Sequence, residues 1–173
     1  ARLPELKTYL FDLDLRRSSV AENFKISGDS GITEYLDGRS SNLRDAAWEI
    51  EGQSLTIFPS FSQKVLSSEL LSSARMDELI AAMRSASGPA ICICDLPPVF
   101  ANDDAVIISQ KVDGYLLVIE EGVTTGKQVR DSLRLLQPAV CLGTVLNRYY
   151  GGLVGDDYGY GYGKKSEYSD YYN

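Results

Sequence analysis

The chain contains no histidine. That absence excludes a Ser-His-Asp triad and any histidine-ligated metal within these 173 residues. Cysteine is scarce and odd in number: Cys92 and Cys94 alternate in "AICICD", and Cys141 sits in "VCLGTVL". No second cysteine pair stands ready for a metal or redox motif. All three therefore read as small apolar residues of buried strands, reduced as in a cytosolic compartment. No apolar run approaches the ~20 residues that span a bilayer, and no signal-peptide pattern is visible. Positive charge is in deficit, with 17 Lys and Arg against 24 Asp and Glu. A net charge of −7 argues against a nucleic-acid surface spread over the whole domain, while leaving room for a local basic site.

What is present is enough for a core, at 44% hydrophobic residues, and the length suits one compact domain. The chain opens at Ala1 without methionine, on the approach to a strand, so a piece of a longer sequence is expected. Short apolar runs recur at 8–12, 55–59, 90–95, 114–120 and 140–147. Several are apolar at nearly consecutive positions, the pattern of parallel strands covered on both faces. Between them, 67–86 reads as one helix stopped by Gly88-Pro89. A second helix follows Thr124 or Thr125, carries Val129, Leu133 and Leu136 on one face, and stops at Pro138. Strands alternating with helices predict an α/β, doubly wound, mainly parallel sheet over 1–150. From Tyr149 onward the text changes. Eight of the eleven tyrosines lie there, among Gly, Asp, Ser and Lys, which predicts a flexible, disordered tyrosine-rich segment over 151–173.

Two acids draw the argument to chemistry. Asp12 closes the run "YLFD" and Asp95 closes "AICICD". In doubly wound sheets, ligands bind at the carboxyl ends of strands. A carboxylate buried there is costly unless it is paired or meets a metal, and magnesium on a nucleotide accepts one or two carboxylates with phosphates and waters.

"YLFDLDLRRSS" resembles the A-prime Walker motif of the bacterial tyrosine kinases that control capsule and exopolysaccharide synthesis, an apolar run followed by Asp-x-Asp-x-Arg. "AICICDLPPV" resembles their Walker B motif. "ELLSSARMDELI", "EEGVTTGKQVRDSLRLL" and "LGTVLNR" resemble later stretches, and the tyrosine tail resembles their autophosphorylation cluster. The fold implied is the P-loop NTPase fold of MinD-like type. The cofactors implied are Mg2+ and ATP. By this resemblance Asp12, Asp14 and Arg16 are catalytic, with the acids organising magnesium and accepting the tyrosine proton. Asp95, with Asp14, holds the metal, Asn147 and Arg148 bind the adenine side, and Arg17 reads as a surface charge. The phosphoacceptors implied are Tyr158, Tyr160, Tyr162, Tyr168, Tyr171 and Tyr172. The resemblance also implies a cytoplasmic protein peripheral to the bacterial inner membrane, without insertion of its own. Its implied partners are a membrane-spanning polysaccharide co-polymerase or activator and further copies of itself, with no nucleic acid.

One part of the family's pattern is missing. No glycine-rich phosphate loop with Lys-Ser/Thr precedes the first motif, and Gly126-Lys127 falls at a helix start after the wrong strand. N-terminal truncation explains this most simply, and the missing strand would lie centrally in the sheet. Two other readings stay open: a nonenzymatic regulatory or scaffold domain, and a partition-type ATPase of the same broad fold.

Overall fold

The computed structural model describes residues 5–61 and 66–149. Strand β1 (Lys7–Asp12) runs between β3 (Leu55–Phe58) and β4 (Ala90–Asp95), parallel to both. The two-residue β2 (Trp48–Glu49) adds to β3 in the antiparallel sense, giving the order β2-β3-β1-β4. A second, parallel sheet pairs β5 (Tyr115–Glu120) with β6 (Cys141–Asn147). Parallel neighbours need crossovers. Here α1 (Ser19–Asn23) and α2 (Ile32–Leu36) follow β1, and α3 (Ser67–Leu71) and α4 (Ala74–Arg84) follow β3. Helix α5 (Asp104–Ser109) follows β4, and α6 (Gly126–Leu135) links β5 to β6.

Local chemistry sets the breaks. Thr125 caps α6 by accepting from the Gln128 amide, and the Gln128 side chain accepts from the Thr125 amide, so this helix starts where its sequence says. The single helix expected over 67–86 is instead two. Ser73 donates its hydroxyl to the Leu70 carbonyl at 2.7 Å and accepts from the Met76 amide at 3.3 Å, ending one helix and capping the next. The core lies between β1, β3 and the helices. Phe11 and Phe58 stack at 4.4 Å between ring centroids, with Leu13, Leu15, Ile32, Leu71, Met76, Leu79 and Ile108 buried around them.

The strands expected to be covered on both faces are not. On β4, Cys92 and Cys94 pack against the core while Ile91 and Ile93 stay about half exposed. On β6, Cys141 and Leu142 are exposed, so the buried-core assignment of Cys141 is corrected and that of Cys92 and Cys94 holds on one face only. An apolar run records that a strand needs cover. It does not say which element supplies it, and among the described residues nothing closes over these side chains.

The entry to α2 is tight. The Ile32 amide donates to the Pro59 carbonyl at 2.8 Å, and a Cβ at Gly31 would overlap that same carbonyl oxygen. Gly31→Ala is expected to cost about 1–3 kcal/mol, the usual range for overpacking. Urea unfolding measures it, and an unchanged midpoint would show that the Pro59 turn yields freely.

Candidate active site

β1 and β4 are parallel and in register, so their last residues, Asp12 and Asp95, stand side by side at the carboxyl edge of the sheet. The Leu13 amide then donates to the Asp95 carbonyl at 2.9 Å, carrying the alignment one residue past the strand. The chain next turns sharply about Asp14. Its backbone carbonyl accepts from the amides of Arg17 (3.1 Å) and Ser18 (2.9 Å), and its side-chain Oδ1 accepts from Arg17 N–H at 3.3 Å. Ser18 takes a left-handed conformation, φ 52°, and its hydroxyl shares a hydrogen bond with that of Ser60. The turn is thereby fastened to the end of β3.

Asp12 is fully buried. Burial raises its carboxyl pKa from 3.8 to about 6, and the charges of Asp95 and Asp14 add to the rise. The backbone amides of Ser60 and Val20 oppose it, Val20 N–H reaching Oδ2 at 3.3 Å. Asp95 is also raised, first by burial and then by Asp14. Because the folded-state value of Asp12 lies above the unfolded one, its stabilising contribution is complete below pH 3.8 and is lost as pH rises through about 6. With solvent screening allowed for, Asp12→Asn is expected to stabilise the nucleotide-free chain by about 1–2 kcal/mol at pH 7.5 and to gain nothing near pH 4. Thermal unfolding of both proteins across this range checks the sign, and a destabilised variant at neutral pH would contradict it.

The donor set fits magnesium. Asp12 Oδ1 is buried with no hydrogen-bond partner, an orphaned acceptor next to two further carboxylates. Among the described residues no three acids close into a complete metal cage by themselves. Magnesium does not ask for one, since it keeps waters and takes phosphate oxygens beside one or two carboxylates.

The remaining residues divide. Arg16 Nε donates to Ser67 Oγ at 2.9 Å and lies 4.0 Å from Asp104 Oδ2, while Arg17 is exposed. Asn147 and Arg148 sit at the carboxyl end of β6, on the other sheet. Asn147 Oδ1 accepts from the Arg148 amide at 2.9 Å, and Arg148 Nη1 donates to Glu120 Oε1 at 2.8 Å. Lys127 pairs with Asp131 at 2.6 Å along α6, as a helix-surface lysine does. The six tyrosines from Tyr158 to Tyr172 lie outside the described residues. Sequence reasoning passed over Ser60, Ser67 and Asp104. Only Asp104 left a signal, in the "NDDA" that opens a helix after the Pro-Pro turn.

No protein-family model matches the chain. Known proteins do. The tyrosine-protein kinase CpsD of Streptococcus agalactiae is 31% identical over 163 residues, covering 92% of this chain and 69% of CpsD. Tyrosine-protein kinase YwqD of Bacillus subtilis strain 168 is 32% identical over 165 residues, covering 94% of this chain and 67% of YwqD. A further CpsD sequence, from a serotype III strain, is covered over only 61% of its length, so the chain spans roughly two thirds of these relatives. Among solved structures, the kinase domain of VpsO superposes with a TM-score of 0.73 at 33% identity, covering 83% of this chain and 70% of that one. The septum site-determining protein MinD of Pyrococcus horikoshii, solved with Mg-ADP, shares the fold at 18% identity and a TM-score of 0.64. With its paired strand-end acids, and with similarity to CpsD and YwqD over more than nine tenths of its own length, the chain belongs to the bacterial tyrosine-protein kinases.

Proposed function

We propose that the chain is part of an ATP-dependent tyrosine autokinase, which phosphorylates tyrosines of its own C-terminal cluster on neighbouring copies and so regulates capsule or exopolysaccharide synthesis and export. The observation that supports this best is the register of Asp12 with Asp95, with the orphaned Asp12 Oδ1 beside them. Asp95 and Asp14 would hold magnesium, which when bound supplies charge neutralisation for phosphoryl transfer. Asp12 and Asp14 orient the incoming tyrosine hydroxyl and take its proton. A carboxyl group raised to about 6 is a better base at neutral pH than an ordinary aspartate. Arg16 braces the turn, and Asn147 with Arg148 takes the adenine side.

The phosphates need backbone amides of a glycine-rich loop, which these 173 residues do not contain. Residues 1–173 alone are therefore expected to bind Mg-ATP weakly. In this reading the kinase-like unit is 1–150, and 151–173 is the acceptor segment. Each phosphate adds roughly −1.5 to −2 charges to an acidic chain, pushing copies apart. The protein works in the cytoplasm against the inner membrane, with a membrane-spanning activator. No helix of the described residues is long and apolar enough to cross a membrane itself.

The test is to incubate the full-length protein with Mg-ATP and map phosphate by mass spectrometry. Several of Tyr158, Tyr160, Tyr162, Tyr168, Tyr171 and Tyr172 should be modified. One other reading, a nonenzymatic scaffold of the polysaccharide machinery, would be favoured by sequence only if the full-length protein also lacked a phosphate loop. Proven ATP binding with no tyrosine phosphate would select the scaffold.

A further inference from the structure

We infer that Asp104 is a positioning residue for Arg16, and that together they lock the turn carrying Asp14 to the segment following Asp95; the catalytic half of this inference rests on the kinase reading above. Three separate pieces of chain meet at the Arg16 guanidinium. Arg16 comes from the turn after β1, Ser67 from the start of α3, and Asp104 from the start of α5. Arg16 Nε–H is donated to Ser67 Oγ at 2.9 Å and lies 4.0 Å from Asp104 Oδ2. The Arg16 side chain is half exposed, whereas that of Asp104 is 1% exposed.

The carboxylate of Asp104 is itself held in place. Asn102 Nδ2 donates to its Oδ2 at 2.9 Å, and the Asp104 amide donates back to Asn102 Oδ1 at 3.0 Å. This bracket fixes one oxygen, while Oδ1 is buried with no hydrogen-bond partner. A buried carboxylate with one lone oxygen is expensive unless a cation stands near. Arg16 is the cation that stands beside it, and a guanidinium neither deprotonates nor loses its planar shape. Asp104 lies nine residues after Asp95, at the start of the helix that follows β4, and Arg16 lies two after Asp14. Their pairing thus ties the two acid-bearing segments through side chains, in addition to the Leu13–Asp95 backbone bond. Small displacements of aligned acids are costly in phosphoryl transfer, where positioning does most of the work.

The test uses isotope-labelled full-length protein and two readouts. Hydrogen exchange of the Arg16 Nε–H, followed by NMR, reports the tie without any nucleotide. Asp104→Asn keeps the shape and the acceptor for Asn102 but removes the charge, and exchange should speed up about tenfold. Should that variant fail to fold, Asn102→Ala loosens the same carboxylate from a half-buried position and should speed exchange about threefold. In phosphorylation assays Asp104→Asn should lower kcat about tenfold, with KM for ATP within about twofold. Arg16→Ala should do the same, and the double variant should be no worse than either single one. Unchanged Nε–H exchange, or losses that multiply in the double variant, would overturn the inference. A wild-type protein that transfers no phosphate would remove the kinase reading, and the tie would then be judged on the exchange signal alone.

Discussion

Asp14→Asn should reduce tyrosine phosphorylation by the full-length protein about 100-fold or more while leaving its fold intact. The size follows from what is lost. A carboxylate that both organises the metal and takes a proton contributes about 10²–10⁴-fold in positioned acid–base catalysis alone. The fold should survive because asparagine keeps an oxygen to accept the Arg17 amide, and the turn is also held by the Asp14 backbone carbonyl. Circular dichroism and urea unfolding of the variant should match the parent within about 1 kcal/mol. A variant that phosphorylates normally would remove Asp14 from the chemistry. One that unfolds would make it a structural residue of the turn.

Asp95→Asn should act differently. Asp95 is half-buried at the end of β4, beside Asp12 and within electrostatic reach of Asp14. Removing its charge relieves repulsion among the acids but takes away attraction for the cation. The concentration of Mg2+ giving half-maximal phosphorylation should rise about 10–100-fold, the usual effect of losing a group that holds a metal through water. Excess magnesium should restore much of the rate. An unchanged magnesium requirement would show that Asp95 serves only to end its strand.

Several parts of this arrangement could be read from the sequence because the residues report their own requirements. An aspartate closing an apolar run suits a strand end, and two such ends in parallel strands of one sheet share its carboxyl edge, which is how Asp12 and Asp95 meet. Thr125 and Gln128 announce the start of α6 in the same local way. The break at Ser72-Ser73 was hidden because serine is tolerated within a helix, and only its bond to the Leu70 carbonyl reveals a cap. The helix start at Asp104 was visible, but its pairing was hidden for a different reason. Its partner Arg16 is 88 residues away in sequence, and no local pattern encodes a tertiary contact. The openness of β6 was likewise illegible. "CLGTVL" has the composition of a buried strand, yet Leu142 is 66% exposed, because cover is decided by neighbours and not by the strand itself.

Whether the acids at the ends of β1 and β4 form one magnesium–phosphate site is read out by paramagnetic NMR. Mn2+ would replace Mg2+ in the full-length protein with ATP present, and amide line broadening would be followed residue by residue. The earliest and strongest broadening is expected at Leu13, Asp14 and Leu96, next to the paired acids, and it should be lost in Asp95→Asn at the same Mn2+ concentration. Broadening centred instead on Asp131 of α6, or spread evenly over the acidic surface, would overturn it.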